Sequence, residues 1–356
     1  MADAKPKQVG FLGAGGERVP VRSDDEDKAE DNSEDARAEE SLEEDESLDS
    51  RSSVDWDRRR MLCDALDIEG LPVFNVHDRE PETLQEARAL IDHIKEKYGF
   101  VEPDRGNLDD PSINWRGGRK PDYTIANLQY FLGKTKNHKE GSLEMIVENM
   151  VKKWEMEATH KLFHEWETVN HANYTVQANG GKEFMADEAC WVGNYNWLLD
   201  TVNKDYYDNS KETFESSHGR FRYAFIEGFP WEVLEVFSGP PRVAFSWRHW
   251  AVFSGEYMGN KGHGQTVTMT GFGVILLEDM KVSKIEIFYK PDDFFEVLLG
   301  KREVQELGDT GAAHGKSLIL KAAKKKEGGC PFAHSTDSED EDKKGSDAGG
   351  EGKTEP

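Results

Sequence analysis

ETFESSHGRFRYAFIEGFPWEVLEVFSGPPRVAFSWRHWAVFSG, residues 212–255, decides the fold. The stretch holds three Trp, seven Phe and two His, most of them at strand spacing. Burying one large aromatic side chain is worth roughly 1.5–3 kcal/mol, so a chain this acidic places such a stretch in the wall of a core or a pocket. In RVAFSWRHWAVF (242–253) alternation puts Val243, Phe245, Trp247, His249, Ala251 and Phe253 on one face. Ala244, Ser246, Arg248, Trp250 and Val252 fall on the other.

Working outward, three more segments read as strands: PWEVLEVFSG (230–239), QTVTMTGFGVILLE (265–278) and KVSKIEIFYK (281–290). Turn signals at Gly239-Pro240-Pro241, Gly255–Gly264 and Asp279-Met280 separate them, as an antiparallel meander requires. Upstream, Ser142 is a good cap for a helix with Leu143, Ile146, Val147, Met150 and Trp154 on one face. NYTVQANGG (173–181) reads as a short strand with a Gly turn. ADEACWVGNYNWLLD (186–200) reads as one further helix, with Cys190, Trp191, Tyr195 and Leu198 or Leu199 inward. PDDFFEVLLG (291–300) closes the series as a last short helix. The order implies an α+β architecture: helices packed on one face of a curved antiparallel sheet, with a cone-shaped pocket at one end.

The rest of the chain is different in kind. EPETLQEARALIDHIKEKYG (80–99) predicts a helix that starts at Pro81 and stops at Gly99. Its narrow stripe of Leu84, Ala87, Ile91, Ile94 and Tyr98 must pack on the main domain or on a partner chain. Val101–Arg119 is rich in Asp, Pro, Gly and Asn and reads as a linker. The expected organisation is an acidic tail at 1–55, a helical extension and linker at 56–114, the main domain at 115–300 and a second tail at 301–356.

Charge is concentrated at the ends. Residues 1–55 carry 18 acidic and 7 basic side chains, and residues 330–356 carry 8 and 3, so most of the formal net charge of −25 lies there. Ser23–Ser50 has too little apolar surface to offset its ordering entropy, and both tails are read as disordered. They act as solvating tails or as binders of a basic partner. The acidic balance argues against nucleic acid and against anionic membrane surfaces. Three scattered cysteines imply no disulfide framework, and the N-terminus has no signal-like apolar run. A cytoplasmic location is the expectation.

From Trp115 to about Leu299 the chain resembles the plant pathogen-related proteins, a SnoaL-like (polyketide-cyclase-like) branch of the nuclear-transport-factor-2-like (NTF2-like) superfamily. The resemblance rests on GSLEMIVENMVKKWEME (141–157), ETFESSH (212–218), GFPWEVLEVFSGPP (228–241), RHW (248–250) and FYKPDDFFEVLL (288–299). It implies the NTF2-like cone and a small hydrophobic ligand. It also implies cofactor-free acid–base chemistry, such as cyclisation, isomerisation or dehydration, or else a non-catalytic carrier or interaction module. Cyclase-like members usually carry an Asp after the aromatic of the last strand, whereas here Lys290 holds that place. The exposed sheet face of such folds often pairs with a second copy, so a homodimer is expected.

The candidate catalytic residues follow from the strands. His249 is the one titratable group on the more apolar face of its strand: a general base kept neutral by burial, or a core imidazole with a satisfied hydrogen bond. Glu232 or Tyr289 would be the acid. Alternation alone leaves open whether Glu232 or Glu235 faces inward. Trp154, Tyr195, Phe245 and Trp247 would wall the pocket, with His218 at its mouth or fixing a turn. His160 and His164, with Glu157 one turn earlier, have a metal-like spacing but no evident further ligand, and neither a metal nor a cofactor is expected. GDTGAAHGKS (308–317) falls short of a phosphate loop, and Cys330-Pro331 is read as a docking motif ahead of a haem ligand.

Overall fold

The computed structural model describes residues 53–302 and 318–319. The expectations for the acidic tails, the string at 308–317 and Cys330-Pro331 lie outside the described residues.

The elements run α1 (Ser53–Leu66), α2 (Pro81–Tyr98), α3 (Thr124–Gly133), α4 (Leu143–His160), β1 (Thr175–Ala178), β2 (Phe184–Met185), α5 (Ala186–Val192), α6 (Asn194–Leu198) and α7 (Phe214–Ala224). Then come β3 (Trp231–Ser238), β4 (Arg242–Phe253), β5 (Glu256–Tyr257), β6 (Asn260–Lys261), β7 (Gln265–Glu278), β8 (Lys281–Tyr289) and α8 (Asp292–Leu298). The main sheet has the order β2-β1-β8-β7-β4-β3. The four long strands form the expected antiparallel run. The β7–β8 connection is a two-residue turn with Asp279 and Met280 at φ 51° and 60°, the left-handed pair that a tight hairpin needs.

The sheet is mixed, which departs from the all-antiparallel expectation. β1 pairs parallel with β8, with Val176 opposite Ile285. Nothing in a four-residue strand states which neighbour it will take. Bulges in β3 and between β7 and β8 bend the sheet. Gly271 and Gly273 in β7 leave room for the aromatics of β4: a Cβ at Gly273 would lie 2.5 Å from the Phe245 ring, and one at Gly271 2.5 Å from Trp247.

Three further differences have physical causes. The helix expected across 186–200 is two short ones, because Gly193 sits at φ 88° and breaks the phase. Trp191 is therefore 68 % exposed, and Trp197 takes the inward position. In α4, Ile146 is exposed while Glu148 and Lys152 are buried. Those two polar groups serve β3, which is the sheet edge: Val233 N–H donates to Glu148 (2.9 Å), and Lys152 Nζ donates to Trp231 O (2.6 Å). His138 donates to Val233 O (2.8 Å). The edge strand is thereby satisfied by side chains.

The helical extension packs on the main domain. Leu62, Leu66, Ala87, Ile91 and Ile94 join Leu128, Phe131 and Trp250 in one buried cluster. Trp250 belongs to the convex face of β4, so α1, α2 and α3 back the sheet while α4 lies inside the cone.

Candidate functional site

The concave side of the sheet encloses a cavity of about 310 Å³, within the range of small-molecule sites. Its floor is Phe245, Trp247 and His249 from β4, with Met269, Ile285, Ile287 and Tyr289 from the neighbouring strands. Trp154 from α4, Tyr195 from α6, and His218 and Phe221 from α7 close the sides. Seven of the eight candidate residues thus meet at one cavity: His249, Tyr289, Trp154, Tyr195, His218, Phe245 and Trp247.

Glu232 does not join them. Its register partner is Arg248, on the convex face, whereas the cavity face of the same pair of strands carries Trp231 and His249. Glu232 is fully buried and accepts from Arg248 Nε (2.8 Å), Thr135 N–H (2.8 Å), Thr135 Oγ1 (2.8 Å) and Lys136 N–H (3.2 Å). It anchors the loop after α3 to the back of the sheet, so its assignment as the acid beside His249 is replaced by a structural one. Lys290 also lies off the cavity, against Asp293 at 3.3 Å.

His249 has the geometry of a neutral base. Its Nδ1 hydrogen-bonds Pro230 O (3.1 Å), with the Phe229 backbone also close, and since a carbonyl only accepts, the proton of the neutral ring sits on Nδ1, and Nε2 has no hydrogen bond of its own among the described residues. The ring packs on Phe229, with centroids 4.3 Å apart. The ring is half-buried and lines the cavity. Burial pushes its pKa down to about 3, with the Lys152 ammonium the next cause. Tyr289 donates its hydroxyl to Leu198 O (2.7 Å), and burial raises its pKa, so its proton is committed. His218 Nδ1 donates to Phe214 O (2.7 Å), which fixes the first turns of α7, and burial holds its pKa down at about 4.

The polar side of the cavity was not legible in the sequence. Lys152 lines it, and burial pushes its pKa down to about 8. Arg105, Tyr123, Glu155, His160 and Arg222 line it too. Lys152 does carry a signal, because Glu148, Lys152 and Met156 repeat at helical spacing beside the apolar stripe. Arg105 carries none, sitting in a stretch that reads as linker. His160 and His164 form no metal group: among the described residues no cluster of three His, Cys, Asp or Glu could hold an ion. No described helix is long and apolar enough to cross a membrane.

Fold and cavity together define an α+β cone protein with an interior, largely apolar site. A pathogen-related protein of Hordeum vulgare is 38 % identical over 192 residues, which cover 52 % of this chain and 82 % of that protein. The chain belongs to the pathogen-related protein family. No family model matches it. Among solved structures, a candidate SnoaL-like polyketide cyclase from Jannaschia sp. is 13 % identical, with 45 % of this chain and 97 % of that one covered and a TM-score of 0.26. A candidate hydroxylase from Streptomyces galilaeus is 17 % identical, with 45 % and 93 % covered and a TM-score of 0.29.

Proposed function

We propose that the chain binds a small hydrophobic metabolite in the cone, where His249 serves as the base for a cofactor-free proton transfer. The observation that carries this reading is the Nε2 of a neutral imidazole, without a hydrogen bond among the described residues, in the floor of an aromatic cavity of about 310 Å³. The ring is neutral near neutral pH, and with a pKa of about 3 it is a weak base that takes a proton only from an acidic C–H or O–H of the ligand. The pathogen-related relative supports a setting in defence. Native mass spectrometry of the protein from its own host is expected to show a retained compound. Ile287→Trp, which fills the cavity, should abolish retention, and His249→Ala should retain a different compound, the unconverted one. An empty wild-type protein would refute the reading.

A carrier without catalysis is favoured by one specific observation: neither expected acid is available, since Glu232 faces away and Tyr289 donates to Leu198 O. That outcome is recognised if His249→Ala retains the same compound as the wild type. The homodimer is a separate proposal, supported by Phe237, Phe272 and Phe288, which lie exposed on strands β3, β7 and β8. Phe272 stands opposite Ser246 and Phe288 on the convex side. Phe272→Lys is expected to convert a dimer to a monomer in light-scattering measurements at micromolar concentration, with the thermal midpoint little changed. A wild-type monomer would dispose of it.

A further inference from the structure

Two side chains in the cavity wall carry buried N–H groups with no hydrogen-bond acceptor among the described residues. Arg105 is 8 % exposed, and among the described residues neither its Nε nor its Nη1 has a hydrogen-bond partner. Its Nη2 reaches only Asn127 Oδ1, at 3.4 Å. Nη1 has only a long ion pair, with Glu155 at 3.8 Å, beyond hydrogen-bond length, and that carboxylate is itself 38 % exposed. The Trp247 indole N–H, 3 % exposed, is the second unpartnered donor. Buried donors are normally satisfied, and a guanidinium left open in a cavity wall is the complement of an oxygen that the protein does not supply.

Charge points the same way. Among the described residues the cavity is lined by three cations, Arg105, Lys152 and Arg222, against one carboxylate, Glu155. The Arg105 guanidinium sits over the Tyr123 ring, 3.9 Å from its centroid, so it is positioned before any ligand arrives. Most of the rest of the lining is aromatic or aliphatic, with Thr159, His160, Asn194, His218 and His249 as further polar side chains.

We propose that the cone takes a hydrophobic carboxylic acid, its carboxylate bound by Arg105 and its apolar body laid against Trp154, Phe245 and Trp247. The proposal rests on the cone's being a ligand pocket and names the ligand class. A single monoanion suits one open guanidinium.

The test uses the full chain and two matched pairs of probes in calorimetric titrations at pH 7.5: 2-naphthylacetate with 2-naphthylethanol, and 4-phenylbutanoate with 4-phenylbutanol. Each acid is expected to bind at least about tenfold more tightly than its alcohol, as a charge-assisted hydrogen bond predicts. Arg105→Gln should erase that preference and leave alcohol binding unchanged, while Arg105→Lys restores part of it. Acids and alcohols binding the wild type equally would overturn the carboxylate assignment and leave the pocket reading standing. A preference that survives in Arg105→Gln would do the same. Binding of none of the four compounds would overturn both. Should Arg105→Gln fail to fold, the wild-type comparison of acid with alcohol still decides.

Discussion

Arg248→Ala is expected to destabilise the protein by about 3–5 kcal/mol, the range for stripping one partner from a buried ion pair. Total stability of a domain is of order 5–15 kcal/mol, so a loss of this size brings the chain close to unfolding. The reason is the company that Arg248 keeps. Its Nε donates to Glu232 (2.8 Å), its Nη2 donates to Gly133 O (2.6 Å), and its guanidinium lies 4.1 Å from the centroid of the Trp250 ring. Glu232 is fully buried and would keep its three donors from Thr135 and Lys136 but lose its counter-charge. The same contacts tie the end of α3 to the back of β4, where Trp250 joins the core of the helical extension. Denaturant midpoints should therefore fall for the sheet and for the extension together. The double variant Glu232→Gln with Arg248→Met is expected to recover much of the loss, because neither replacement carries a charge to be balanced. A single-variant cost below about 1 kcal/mol would show that water reaches the pair and that the buried clamp is not real.

This clamp also marks the limit of what alternation can say. The period of two in residues 242–253 groups Phe245, Trp247 and His249 together, and all three line the cavity. The same rule puts Glu232 and Glu235 on opposite faces, and there it fails: the bulge at Leu234 pairs Glu235 with Ser246, so both carboxylates lie on the convex face. Only the register with β4 says which face Glu232 takes, by setting it opposite Arg248. Local signals gave the hairpin at Asp279-Met280, the cap at Ser142 and the helix ending at Gly99, because each depends on a few adjacent residues. Long-range contacts left no such trace. Arg105 reads as linker because what buries it, the Tyr123 ring and the neighbouring helix α4, is distant in sequence or looks unremarkable there. Lys152 and Glu148 look like solvent-facing positions of an amphipathic helix. They are inside because an edge strand needs donors and acceptors that no further strand supplies.

Between about pH 6.5 and pH 4 the protein is expected to lose stability more steeply than its carboxylates explain. Three histidines around the cavity are held neutral: burial pushes the pKa of His160 and His249 down to about 3 and that of His218 to about 4. Arg222 adds to the effect at His160 and His218, and Lys152 adds to it at His249. In the unfolded chain each imidazole titrates near 6.5. Below that pH the unfolded state binds protons that the native state refuses, so stability falls as pH falls. The loss starts near pH 6.5, ends near pH 4 for His218, and continues to about pH 3 for the other two. Each histidine contributes up to roughly 1.4 kcal/mol per pH unit, hence up to about 4 kcal/mol per unit for the three. Carboxylates whose pKa is lowered by partners, such as Glu102 and Glu167, act below the ordinary carboxylate range. The window from pH 6 to pH 5 therefore belongs mainly to the histidines. Urea midpoints measured at half-unit steps should show the slope. Replacing His160, His218 and His249 singly by Gln should each remove about a third of it. A flat profile from pH 7 to pH 5 would mean that these imidazoles are reached by water, and the same result would remove the ground for a neutral, desolvated base at His249.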